Sequence, residues 1–174
     1  MRKLLVFVFC LITPLIHAGD VTGNCVSYTQ EGRCVNFALN DGSAIQLRLC
    51  SPSVIRIWSS PDGRFERSNA SFAVINEDLQ DIGELIVNEQ NACYEIYTEK
   101  LRIRVNKAPF SLQIFDKYQK LLFSDHADKG HVSDGKRKVE YKTLRRDEHF
   151  FGLGEKTGRL DRRGETYKMW NSDK

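Results

Sequence analysis

The sequence predicts an all-β fold, an antiparallel β-sandwich, and three observations carry that expectation. Short apolar runs alternate with polar residues at period two, as in Ile45-Gln46-Leu47-Arg48-Leu49 and Leu101-Arg102-Ile103-Arg104-Val105, so each run has one apolar face. Turn residues punctuate these runs at roughly eight-to-twelve-residue spacing. Beyond the amino terminus no segment sustains an i, i+3, i+4, i+7 apolar stripe, and there is no internal repeat or low-complexity tract.

Taken in order, residues 1–18 read as a secretory signal. Arg2 and Lys3 precede the apolar run Leu4 to Ile12, followed by Pro14 and a small-residue site at Ala18-Gly19. The run is too short to span a bilayer, so the expectation is export to the periplasm or the extracellular space with cleavage near Ala18, and no membrane span. Residues 19–174 then form one β domain. Gly19 to Gly32 is turn-rich and is expected to wrap an edge. Cys34 to Leu39 and Ala44 to Leu49 flank Asn40-Asp41-Gly42, a hairpin signal because Asp and Gly tolerate φ > 0. Val54 to Trp58, opened by Pro52 and closed by Pro61-Asp62-Gly63, is a third strand, with Trp58 read as core or sheet cover rather than a sugar platform. Asn69-Ala70-Ser71 is a glycosylation sequon, relevant only in a eukaryotic secretory pathway. Asn76 to Gly83 reads as loop. Tyr94 to Thr98, Leu101 to Val105, Phe110 to Ile114 and Leu121 to Phe123 are strands separated by turns, Asp125 to Gly135 is polar loop, and Lys138 to Thr143 is a last strand.

The 174 residues suffice for one domain with a core of its own. The formal net charge is +3, and +1 once Arg2 and Lys3 leave with the first eighteen residues. Lys and Arg are scattered, and the cluster Lys136-Arg137-Lys138 reads as a solvated strand end, so neither nucleic acid nor an anionic membrane is an expected partner. Cys10 leaves with the signal. Cys25, Cys34, Cys50 and Cys93 remain, an even number in an exported chain. Cys25 and Cys34 are close enough in sequence for a bridge across a turn, although four cysteines allow three pairings, and Cys50 and Cys93 read equally well as buried apolar residues. His126, His131 and His149 read as loop histidines without the spacing of a metal site, and no cofactor or metal is expected.

The most informative stretch is Phe150 to Lys174, FFGLGEKTGRLDRRGETYKMWNSDK. Gly152, Gly154, Gly158 and Gly164 stand among charged residues, a composition that suits a shaped surface more than packing filler. The spacing Gly152-x-Gly154-x-x-x-Gly158 misses the dinucleotide fingerprint by one residue and has no βαβ context. Gly154-Glu155-Lys156-Thr157 lacks the spacing of a phosphate loop. Nucleotide binding is set aside on both counts.

Phe151-Gly152-Leu153-Gly154-Glu155-Lys156-Thr157-Gly158, Leu160, Arg163-Gly164, Tyr167 and Met169-Trp170-Asn171-x-Asp173 together resemble the amino-terminal β-sandwich domain of glycoside hydrolase family 31, the α-glucosidase-like enzymes. Ala108-Pro109-Phe110-Ser111-Leu112 and Asp116 add to the resemblance, and Arg159 departs from it, standing where many members have proline. The resemblance implies a galactose mutarotase-like sandwich that continues beyond Lys174 and precedes a catalytic (β/α)8 barrel, a fold of roughly 250 residues that this chain is too short to hold. It places the nucleophile and the acid/base in that barrel, so no catalytic residue is assigned here. The whole enzyme would cleave terminal α-linked sugar with retention, and this chain alone would be inactive. The resemblance also carries a substrate contact over to Asp173, since a carboxylate can accept two sugar O–H bonds, and gives Trp170 a role in stacking on sugar or packing the loop base. Glu155, Lys156, Arg162 and Arg163 read as charges facing water or each other. A free-standing carbohydrate-binding module and a structural secreted β domain are the alternative functions.

Overall fold

The computed structural model describes residues 23–65, 81–133 and 138–169. The expected signal with Ala18, the sequon at Asn69, Lys136, Arg137 and the sugar-contact candidates Trp170 and Asp173 lie outside those residues. The chain divides into two compact units, Met1–Lys142 and Thr143–Lys174.

In the first unit, β1 (Cys25–Glu31), β2 (Cys34–Leu39), β3 (Ala44–Ser51) and β4 (Val54–Ser60) form a four-stranded sheet in that order. β5 (Ile86–Glu89), β6 (Cys93–Tyr97), β7 (Leu101–Lys107), β8 (Phe110–Asp116) and β9 (Leu121–Ser124) form a five-stranded sheet, again in chain order. β10 (His131–Ser133) and β11 (Lys138–Glu140) make a two-stranded ribbon. All pairings are antiparallel, and no helix occurs among the described residues.

The period-two pattern decides which side chains go inward. In β3, Ile45, Leu47 and Leu49 are buried while Gln46 and Arg48 are only half-buried, and register sets Phe37 opposite Ile45 and Leu47 opposite Ile57. The same alternation in β7 buries Leu101, Ile103 and Val105 and leaves Arg102 and Arg104 on the other face. The two inner faces meet in one apolar cluster, within which the Phe37 ring lies 5.5 Å from Tyr94 and 5.8 Å from Phe110 on the opposing sheet. Polar side chains also tie sheet to sheet at the rim. Gln30 Nε2 donates to the Leu85 carbonyl at 3.1 Å, and Thr98 Oγ1 to the Pro52 carbonyl at 2.7 Å.

The turn between β2 and β3 forms as expected, and it runs to four residues, 40–43. Asp41 Oδ1 accepts from the Ser43 N–H at 2.9 Å and from its hydroxyl at 2.6 Å, and Gly42 takes φ +85°. Trp58 is sheet cover: the Arg56 guanidinium lies 4.7 Å from its ring centroid and the Phe65 ring meets it edge-on at 5.5 Å. On the outer face of the five-stranded sheet, Glu95 is 2% exposed and accepts from Arg104 Nε at 2.7 Å. Arg102, stacked 4.1 Å over Phe115, approaches the same carboxylate at 3.5 Å.

Several sequence expectations change. The stretch 19–32, expected to be turns, contains β1, an edge strand, and β5 and β10 are strands that the pattern did not announce. Cys25 and Cys34 do not bridge. The hairpin register sets Cys25 opposite Leu39 and Cys34 opposite Glu31, so the two thiols stand at opposite ends of β2, about 17 Å apart at 3.4 Å per residue and far beyond bridging distance. Burial pushes the Cys25 thiol pKa up, which keeps it a poor nucleophile. Cys50 and Cys93 are buried, the apolar reading of them.

His131 is not a loop histidine either. It is buried in β10, with Nε2 3.4 Å from Asp125 Oδ2 and Nδ1 3.5 Å from Glu140. Asp125 is itself buried. It accepts the Leu112 N–H at 2.8 Å and the Lys142 ammonium at 2.7 Å. Burial alone would raise the Asp125 pKa, but the bonds from His131 and Lys142 outweigh it and the net shift is downward.

Candidate functional site

The second unit, Thr143–Lys174, contains the glycine-rich stretch, and its described part holds its shape without a strand or helix. Backbone freedom supplies the bends: Gly152, Gly154, Gly158 and Gly164 all take positive φ, and Leu153 joins them at +69°. A chain so permissive needs fastening, and three consecutive residues supply it.

Asp161 closes the base. Its Oδ2 lies 2.6 Å from His149 Nδ1, and its Oδ1 accepts the N–H of Arg163 at 3.0 Å and of Phe150 at 3.3 Å. The His149 bond first, then the two backbone donors, hold the Asp161 carboxyl down to about 2. Arg162 spans the loop. Its backbone N–H donates to the Phe150 carbonyl at 2.8 Å, while its guanidinium donates to the carbonyls of Lys156 at 2.7 Å and Thr157 at 3.2 Å and to the Tyr167 hydroxyl at 3.0 Å. Arg163 fastens the stretch before the loop, donating to the Arg145 carbonyl at 2.8 Å and to the Glu148 carbonyl. The Glu148 carboxylate accepts the Arg145 N–H at 3.0 Å.

These contacts correct the reading of Arg162 and Arg163 as charges facing water: both are half-buried staples, bonded to backbone carbonyls. Lys156 enters through its backbone, its carbonyl bonded to Arg162 and its N–H to the Gly154 carbonyl at 2.8 Å. His149 is the partner of Asp161 and stacks on Phe151 with ring centroids 6.3 Å apart. The arrangement is a shaped, exposed loop running to Met169. Among the described residues there is no cluster of three or more His, Cys, Asp or Glu that could hold a metal ion.

The family model of the glycosyl hydrolase 31 N-terminal galactose mutarotase-like domain matches residues 44–174, from β3 through this loop. The chain belongs to that family. A Flavobacterium johnsoniae GH31 dextranase, solved in complex with glucose, is 59% identical with a TM-score of 0.81, over 89% of this chain and 19% of that one. Alpha-glucosidase 2 of Bacillus thermoamyloliquefaciens is 30% identical over 170 residues, which is 92% of this chain and 20% of that protein. A cycloalternan-forming enzyme from Listeria monocytogenes, solved with a pentasaccharide substrate, shares the fold at 18% identity and a TM-score of 0.67, over 84% of this chain and 14% of that one. This glycosyl hydrolase 31 domain thus spans about a fifth of the dextranase and of the α-glucosidase.

Proposed function

We propose that this chain is the amino-terminal, substrate-shaping portion of an exported, retaining glycoside hydrolase that acts on α-linked glucans. The observation that carries the reading is the 59% identity to a dextranase over most of the chain. The geometry agrees with it. A loop fastened by three consecutive side chains keeps its shape without substrate, as a surface that orients a sugar must if it is to lower the entropic cost of binding. In this reading the loop delivers Asp173 and Trp170 to the sugar, Asp173 as a charge-assisted acceptor of hydroxyl protons, while the two carboxylates that break the glycosidic bond belong to a barrel outside this chain. A free-standing carbohydrate-binding module would need an open aromatic platform, and Trp58 does not offer one, since Arg56 and Phe65 engage its ring; the exposed aromatic rings include Tyr118 and Phe151.

Dextran and p-nitrophenyl α-glucoside, offered in parallel to the 174-residue chain and to the longer enzyme that carries it, test the proposal. The expected outcome is hydrolysis by the longer enzyme and none by the chain. Turnover by the chain alone, or an inactive longer enzyme, refutes it.

A further inference from the structure

The contacts around Arg162 go beyond holding a loop together. We propose that Arg162 is a positioning residue for sugar recognition: it closes the backbone from Lys156 to Tyr167 into a ring whose shape sets the affinity for the glucan and not the rate of bond cleavage. The inference rests on the functional reading above and adds the residue that governs it.

The ring is built around one planar fork. Nη1 bonds the Thr157 carbonyl and the Tyr167 hydroxyl, Nη2 bonds the Lys156 carbonyl, and the guanidinium carbon lies 5.2 Å from the centroid of the Tyr167 ring. One side chain therefore joins a turn five and six residues before it to an aromatic residue five residues after it. Gly158 has the shape that this closure demands. It sits at φ +128°, and a Cβ there would fall 2.8 Å from Arg162 Nη1 and 3.1 Å from the Tyr167 hydroxyl. The space a side chain would fill is the space the fork occupies. On either side of Arg162, Asp161 and Arg163 tie the base of the ring to His149 and to the Arg145 and Glu148 carbonyls, so the ring is spanned from within and anchored from below.

Lysine cannot reproduce this. An ammonium is a point charge on a flexible stem, and it lacks the flat fork that reaches acceptors on two sides of a loop at once. The fork's bonds are to acceptors of the loop itself, so what it governs in this reading is where the loop holds the sugar.

The test is steady-state kinetics of the full-length enzyme on dextran, wild type against Arg162→Lys, Arg162→Ala and Tyr167→Phe. Arg162→Lys should raise KM about tenfold and leave kcat within about twofold, the signature of lost ground-state binding. Tyr167→Phe, which removes one of the three acceptors, should move KM the same way by about threefold. Millimolar guanidinium should lower the raised KM of Arg162→Ala. An active wild type whose Arg162→Lys variant keeps its KM overturns this inference alone. So does a variant that loses kcat and thermal stability together, because that pattern marks a merely structural side chain. A wild type that hydrolyses neither dextran nor p-nitrophenyl α-glucoside removes the functional reading, and this inference with it.

Discussion

Asp161 is the side chain whose ionisation the loop depends on most directly. Its three donors favour the carboxylate, which is why its pKa falls from the ordinary 3.8 to about 2. A group depressed on folding lends stability that is fully present above its unfolded pKa and is lost as pH falls through its folded one. The contribution of Asp161 should therefore be intact above about pH 4 and disappear toward pH 2. Carbon-13 detection of its carboxyl group by NMR should give a midpoint near 2, and a midpoint at the value of a free carboxylate would break the link to His149. No local pattern in the sequence told this aspartate from its neighbours. Asp161, Arg162 and Arg163 are consecutive charges on an exposed stretch, and consecutive charges ordinarily meet water. What sets the two arginines apart is that all their guanidinium acceptors but the Tyr167 hydroxyl are backbone carbonyls, which every sequence supplies and none advertises.

At the level of elements, alternation was legible wherever a strand buries one face only. β3 and β7 show it cleanly, because their inward positions are Ile, Leu or Val and their outward ones polar. β1 hid because it lies at the edge of its sheet, with Val26 62% exposed and the polar Gln30 turned to bond the Leu85 carbonyl. β5 hid because its four residues place Ile86 outward and only Val87 against the core. β10 is three residues long, too short for any period, and it is buried through the apolar Val132 as well as through His131, which lies against Asp125 and Glu140. The glycine-rich loop was visible as a shaped surface, and its glycines are now distinguishable. Gly152 has open space where a Cβ would stand, whereas Gly158 has Arg162 and Tyr167. Gly158→Ala should accordingly combine backbone strain with a displaced guanidinium at a cost of roughly 1–3 kcal/mol, more than Gly152→Ala, which carries the strain alone. Limited proteolysis should show it, with faster cleavage between Lys156 and Tyr167 in the first variant than in the second. Equal rates would mean that the guanidinium is not fixed in place.

For the molecule as a whole, fold class and family were both readable. The first followed from period-two hydrophobicity and turn chemistry, the second from a motif dense enough to be specific. The cysteine framework was not readable, because counting thiols says nothing about register, and it is register that keeps Cys25 and Cys34 apart. A spectroscopic consequence follows from where the aromatic rings lie. The chain has two tryptophans, and Trp58 rests on the outside of its sheet under Arg56, while Tyr94 is buried against Phe37 between the sheets. Indole emission from Trp58 will thus report the skin of the four-stranded sheet, while the Tyr94 contribution to near-ultraviolet dichroism reports the core between the sheets. In an unfolding experiment followed both ways on a Trp170→Phe variant, where Trp58 is the remaining tryptophan, an early change in the emission alone would mark fraying of β4 and not collapse of the core.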